Sequence, residues 1–303
     1  MVHLSKKDRH IYNKLTNFEL QHNINNNNTI SADDILGDLN TKQRPHLFLD
    51  FYSLDGIHKA LEEYGIFKTL KKRGFDNIIL AIDTQDPYSH KFRAYFNEKD
   101  PDKLLCEAYF RKKNYVAKPT FPSTIHGENF LFIVVDWMTL QDPTQSFTSH
   151  RKALPGQKYP GLRIGRKVLV IMINMCLRLR ADGLLNIPEH YHNAAFYGRF
   201  FKYFNPYTEG FFQAIRRDLG HLGIYQLTWA IDLECLVEHR TGKCWKWFTD
   251  EQILPVSMKM EKYFNSKEYL NTVEEASNSV SFRIDEEKFR EIGEQYIRDS
   301  QTN

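Results

Sequence analysis

A helix that is apolar on nearly every side has to be buried on nearly every side, and this chain carries one. Val168, Ile171, Met172, Met175 and Leu179 follow the i, i+3, i+4, i+7, i+11 spacing of a single helical face, while Leu169, Val170, Ile173 and Leu177 fill much of the opposite face. Such a helix requires a sheet on one side and another layer on the other. Phe130-Leu131-Phe132-Ile133-Val134-Val135-Asp136-Trp137 supplies the sheet, because a continuous apolar run marks a central strand covered on both faces. Further strands are expected at Pro45 to Phe51, Asn77 to Asp83, Leu104 to Tyr115 and Gly183 to Ile187. Helices are expected from Leu54 to Leu70, stopped by Gly74, from His192 to Phe201 and from Phe211 to Leu219. Thr228 to Phe248 reads as a hairpin about Arg240-Thr241-Gly242-Lys243. This order predicts an α/β domain with a mixed central sheet flanked by helices and extended at both ends.

Residues 1–44 are polar, with a short helix ahead of an asparagine-rich linker at Asn23 to Thr29, so the main domain is expected at 45–270. Residues 271–303 read as a tail closed by a charged helix from Asp285 to Arg298. The four cysteines, Cys106, Cys176, Cys235 and Cys244, form no CxxC pair and fit reduced thiols, with Cys235 and Cys244 the one pair able to meet across the hairpin. The N-terminus lacks the apolar stretch of a secretory signal, and the longest apolar run, Val168 to Ile173, is far short of a bilayer span. These features predict a soluble, cytoplasmic protein with no membrane partner.

Charge is concentrated at one place. With 41 basic and 38 acidic residues the chain is almost balanced, yet Arg151 to Arg180 holds eight basic side chains and no carboxylate. This segment runs from a Pro/Gly-rich turn, Leu154 to Arg166, into the start of the apolar helix. Free backbone N–H groups and the positive dipole end of a helix attract anions there, so the segment reads as a phosphate or pyrophosphate cradle.

The order of central strand, basic glycine-bearing turn, buried helix, short strand and Asn/Ala/Tyr-rich helix resembles the acyl-CoA-binding half of the GNAT superfamily of N-acetyltransferases, over about residues 78–205. Tyr159-Pro160-Gly161-Leu162-Arg163-Ile164-Gly165-Arg166-Lys167-Val168-Leu169 resembles its pyrophosphate loop, and His192-Asn193-Ala194-Ala195-Phe196-Tyr197 its later helix. The resemblance implies that Lys158, Gly161, Leu162, Arg163, Ile164, Gly165, Arg166, His190 and Asn193 hold acetyl-CoA or another acyl-CoA. It implies that Tyr197 protonates the departing thiolate and that the acceptor is the amine of a small molecule or a protein. Arg163 stands where the family places a second small residue, and His190 where it places an asparagine.

Acyl transfer also needs a base for the amine and a donor for the oxyanion. Asp136 and Glu107, on neighbouring strands, are the candidate bases, with Asp142 close by. No metal is expected, because the i, i+2 spacing of His190 and His192 brings no third ligand at a recognisable interval. Asp83 to His90 is either a ligand loop beyond a strand end, with His90, Lys91 and Arg93 as a second cationic rim, or a simple turn started by Asp86-Pro87. Two other functions use the same residues. A non-catalytic acyl-CoA-binding protein would keep the cradle without a working acid and base. A nucleic-acid module would stack bases on the many Tyr and Phe rings, but it is disfavoured because Lys167, Arg178 and Arg180 fall on the buried helix.

Overall fold

A computed structural model of the chain describes residues 4–22, 47–121 and 123–292. Near the N-terminus, α1 (Lys6–Lys14) and α2 (Asn17–Gln21) each begin on a hydroxyl cap, Ser5 and Thr16, the latter completed as a capping box by Glu19. They are not peripheral, since Ile11, Leu15 and Leu20 are buried in the main core. Arg178 holds them there: its guanidinium donates to the carbonyls of Tyr12 and Leu15 and to Asn17 Oδ1. The asparagine-rich stretch expected to act as a linker lies outside the described residues.

The helix expected from Leu54 to Leu70 is two helices, α3 (Leu54–Glu63) and α4 (Ile66–Lys71). The break falls at Gly65, whose φ of 67° an L side chain adopts only at a cost. In place of the strand expected from Pro45 to Phe51, the described residues 47–51 form a turn. Phe48 and Tyr52 bridge a tight turn in which Leu49 and Asp50 are both left-handed, at φ 51° and 53°.

A seven-stranded sheet follows. It contains β1 (Ile78–Asp83), β2 (His90–Phe96), β3 (Leu104–Val116), β4 (Asn129–Leu140), β5 (Gly183–Asn186), β6 (Lys202–Tyr203) and β8 (Gln252–Pro255), with β7 (Leu236–Glu238) standing apart. Its order is β1-β2-β3-β4-β5-β8-β6. All neighbours are antiparallel except β4 and β5, which run parallel because the long α5 (Gly165–Arg178) carries the chain back between them. The apolar run of β4 is covered on both faces as expected. Ile133 packs against α5 and the N-terminal helices, while Phe130, Phe132 and Val134 pack against α9 (Met258–Phe264) and α10 (Lys267–Ser279).

A third core joins α6 (Tyr191–Tyr197), α7 (Pro206–Leu219) and α8 (Gly223–Asp232) to a small ribbon of β7 with β9 (Phe282–Ile284). The hairpin expected over 228–248 is therefore corrected: its first arm is α8, and only the turn survives, where Glu238 N–H donates to the Lys243 carbonyl and Val237 bridges Cys244. The boundary expected at residue 270 falls inside α10. The charged terminal helix is seen from 286 to 292, and its remainder lies outside the described residues. Among the described residues no helix is long and apolar enough to cross a membrane.

Candidate functional site

The sheet opens between β4 and β5. The ladder between β4 and β5 ends at the pair Val135–Asn186, but β4 continues to Leu140 while the other chain turns away through Ile187 and Pro188. On its opposite side β4 stays paired with β3, and there the register slips: Tyr109 faces Trp137 and Phe110 faces Val135, so Asp136 is an extra residue. A β-bulge re-aims the side chains and backbone groups around it. Here it coincides with the point where β5 leaves, so the open edge of β4 begins at the bulge. Trp137 and Ile187 stand exposed on the two lips.

The basic turn returns to this open strand. Gln141 bridges Gly161, Leu162 N–H donates to the Leu140 carbonyl at 3.3 Å, and Asp142 N–H donates to Pro160. A Cβ on Gly161 would stand 3.3 Å from the Leu140 carbonyl, so glycine lets the turn lie against the strand. Leu162 and Ile164 are buried anchors. Between them Arg163 is exposed in the left-handed region, at φ 53°. The helix then begins at Gly165 with no side-chain cap and no acid in its first turn. Arg163 and Arg166 are exposed and have no hydrogen-bond or ion-pair partner among the described residues. Lys158 lies over the Tyr159 ring.

Of the remaining cations of the segment all but one are engaged within the fold; Arg180, expected on the buried helix, lies past its end at Arg178, its side chain exposed and with no hydrogen-bond or ion-pair partner among the described residues. Arg151 donates to the Gly161 carbonyl, Lys152 lies over Tyr225, and Lys167 ties α5 to Gly65 and Thr69.

Tyr197, on α6, directs its hydroxyl at the start of α5, where a Cβ on Gly165 would come within 3.2 Å of it. Burial raises its pKa, so it stays protonated. His190, just before α6, points its Nε2 at Gly156 of the basic turn and hydrogen-bonds through Nδ1 to Asp232 of α8 at 2.8 Å. That bond is the main reason its pKa is raised. His192 stacks on His190 at 5.4 Å and is held down to about 4, first by burial and then by His190. The turn is also braced from α8, because Trp229 Nε1 donates to the Ala153 carbonyl.

Asn193 is half-buried on α6 beside these groups. Both candidate bases carry arginine partners. Asp136 accepts two bonds from Arg111, at 2.8 and 3.1 Å, and Glu107 accepts one from Arg93 at 2.7 Å. His190 paired with Asp232 is a third candidate base, and 42 residues separate the two. No sequence spacing joins them.

Asp83 to His90 proves to be a simple turn. Asp83 and Asp86 accept the N–H groups two residues on, and the expected cationic rim does not form. His90 is buried, accepts the Leu49 N–H on Nδ1 and has its pKa lowered by that burial, while Arg93 is engaged by Glu107. No group of three or more potential metal ligands comes together among the described residues. The sequence matches no protein-family model and no curated protein.

Proposed function

We propose that the chain transfers an acyl group from CoA to an amine, at the opening between β4 and β5. One observation carries this reading: the bulge at Asp136, the end of the β4–β5 ladder and the uncapped basic start of α5 converge on one stretch of strand. The donor set fits the anionic end of CoA. Arg163 and Arg166 supply charged donors beside the free N–H groups of the helix start. The glycines are filled from behind by Leu140 and Tyr197, so recognition rests on these donors rather than on close approach at a bare Cα. CoA supplies the activated thioester, and its amide-bearing arm suits the open backbone edge from Asp136 to Thr139.

The residues divide the chemistry among them. A backbone N–H at the bulge steadies the negative charge that develops on the acyl oxygen. His190, oriented by Asp232, takes the proton that the amine loses as the C–N bond forms. Asp136 and Glu107 are each turned to an arginine, Arg111 and Arg93, rather than left open to the amine. Tyr197 gives its proton to sulfur as the C–S bond breaks, leaving an amide and free CoA thiol. The nucleic-acid reading loses support, since Lys167 and Arg178 are engaged within the fold.

The test is thermal stabilisation by CoA, acetyl-CoA and short oligonucleotides, followed by thiol release across a panel of amines. Ligand at 100 times its dissociation constant adds about 2.7 kcal/mol. Stabilisation by CoA with thiol release is the expected result, stabilisation without turnover marks a binding protein, and a response to oligonucleotides alone defeats the proposal.

A further inference from the structure

Behind the basic turn lies a second space, a cavity of about 140 Å³ between the sheet and the helices α3, α4 and α5. Its floor includes Ala94, Ala108 and Met138 of the strands, and its roof Ile57, Val168 and Met172 of the helices. Leu140, Leu162 and Ile164 also line it, and these are the residues that join the open end of β4 to the cradle. The inner wall of the proposed CoA site is thus the outer wall of this cavity. Its surroundings are apolar enough that burial pushes the thiol of Cys106, which lines it, up to about 12. Tyr52, Tyr64, Asn174 and Arg178 bring the polar groups to the cavity's lining, and Asn174 is the one of them with an unpartnered buried atom among the described residues. It is buried, its Nδ2 donates to the Tyr64 hydroxyl at 2.6 Å, and its Oδ1 has no partner among the described residues.

We propose that this cavity receives an unbranched aliphatic chain of about six carbons, which on the function proposed above is the acyl group that CoA delivers. The inference rests on that function for the identity of the chain and on the cavity itself for its length and character. Engineered apolar cavities of about 150 Å³ stay dry and take up benzene, a six-carbon guest. An acetyl group leaves such a space unfilled, whereas each further buried methylene strengthens binding by about fourfold.

Two kinds of ligand test it on the full chain. The first is the series acetyl-, butanoyl-, hexanoyl- and octanoyl-CoA, with affinities measured by calorimetry. The second is 1-hexanol alone, whose chain fits the cavity and whose hydroxyl can donate to Asn174 Oδ1, read by thermal shift. Ala94→Leu and Ala60→Leu fill the cavity from the sheet and from α3. The expected result is that hexanoyl-CoA binds on the order of 100-fold more tightly than acetyl-CoA. Hexanol should stabilise the wild type, and either filling variant should abolish both effects while leaving acetyl-CoA affinity unchanged.

Equal affinity across the acyl series, with no response to hexanol, overturns the proposal without using any variant. Stabilisation by hexanol that Ala94→Leu removes, in a protein that binds neither CoA nor any acyl-CoA, upholds the aliphatic site. That outcome overturns the CoA function instead.

Discussion

The hydroxyl of Tyr197 closes on Gly165, so near that a methyl group added to that glycine would stand 3.2 Å from the oxygen. The contact sets a proton donor at the first residue of α5, on the turn that leads from the open end of β4. Tyr197→Phe keeps the ring against Phe201 and removes only the hydroxyl. If Tyr197 is the acid, turnover should fall by about 10²-fold with CoA affinity nearly unchanged. Stability should change by about 1 kcal/mol at most. Gly165→Ala is the companion variant, since it displaces the hydroxyl without deleting it and should also lower turnover. Unchanged thiol release by the Phe variant removes Tyr197 from the mechanism.

His190 and Asp232 predict a pH profile. The Asp232 hydrogen bond raises the histidine pKa above its ordinary 6.5, with Glu189 adding to the effect and burial opposing it. The pair's contribution to stability is full below the unfolded value and is lost as pH rises through the folded one. A base must be neutral, so kcat/KM should climb through a limb lying above pH 6.5. Asp232→Asn weakens the attraction for the proton and should move that limb to lower pH, with a lower plateau. A limb that stays in place would exclude His190 as the titrating base.

The elements readable from sequence were those with one dominant signal. The buried α5 and the doubly covered β4 follow from apolar residues in the period of each element. The basic turn was visible for the opposite reason, as charge without acid. What escaped was made by tertiary pairing. No local pattern distinguishes Asp136 as a bulge, because the extra residue exists only relative to Tyr109 and Phe110 across the ladder. Thr228, Trp229 and Ile231 favour strands by type, yet α8 buries them as a helix against α6 and α7. The polar N-terminus also misled, since its few apolar residues, Ile11, Leu15 and Leu20, are the ones the core uses.

Gly210 predicts a stability defect remote from the site. It lies where α7 crosses α10, and a Cβ there would meet Ala276 Cβ and the Val273 carbonyl, each at 2.6 Å. Two backbones must separate to admit it. Gly210→Ala should therefore destabilise by about 1–3 kcal/mol or more, measured by urea denaturation. Gly220→Ala, where an added Cβ meets nothing within 4 Å and φ is −59°, is the control and should be neutral or slightly stabilising. Equal effects at the two positions would refute the close crossing.

His192 predicts how the fold responds to acid. The side chain is only 3% exposed, and its Nδ1 has no hydrogen-bond partner among the described residues. Burial and the neighbouring His190 hold its pKa at about 4. Between pH 6.5 and 4 the unfolded chain therefore binds a proton that the folded chain refuses, so stability is present above 6.5 and is lost as pH falls through this window. The loss should be on the order of 2–3 kcal/mol across the window. His190 works in the opposite sense, because its raised pKa has the folded chain take up its proton first, and this partly offsets the loss near pH 6.5. Urea denaturation at pH 7 and pH 5 measures the effect in a range that the ion-paired carboxylates barely touch. His192→Phe keeps an aromatic ring beside Phe196 and removes the titrating nitrogen, so it should reduce the slope to the share carried by buried His90, whose pKa is also lowered, while preserving stability at pH 7. A variant that loses stability between pH 7 and pH 5 as steeply as the wild type would show that another group carries the acid sensitivity.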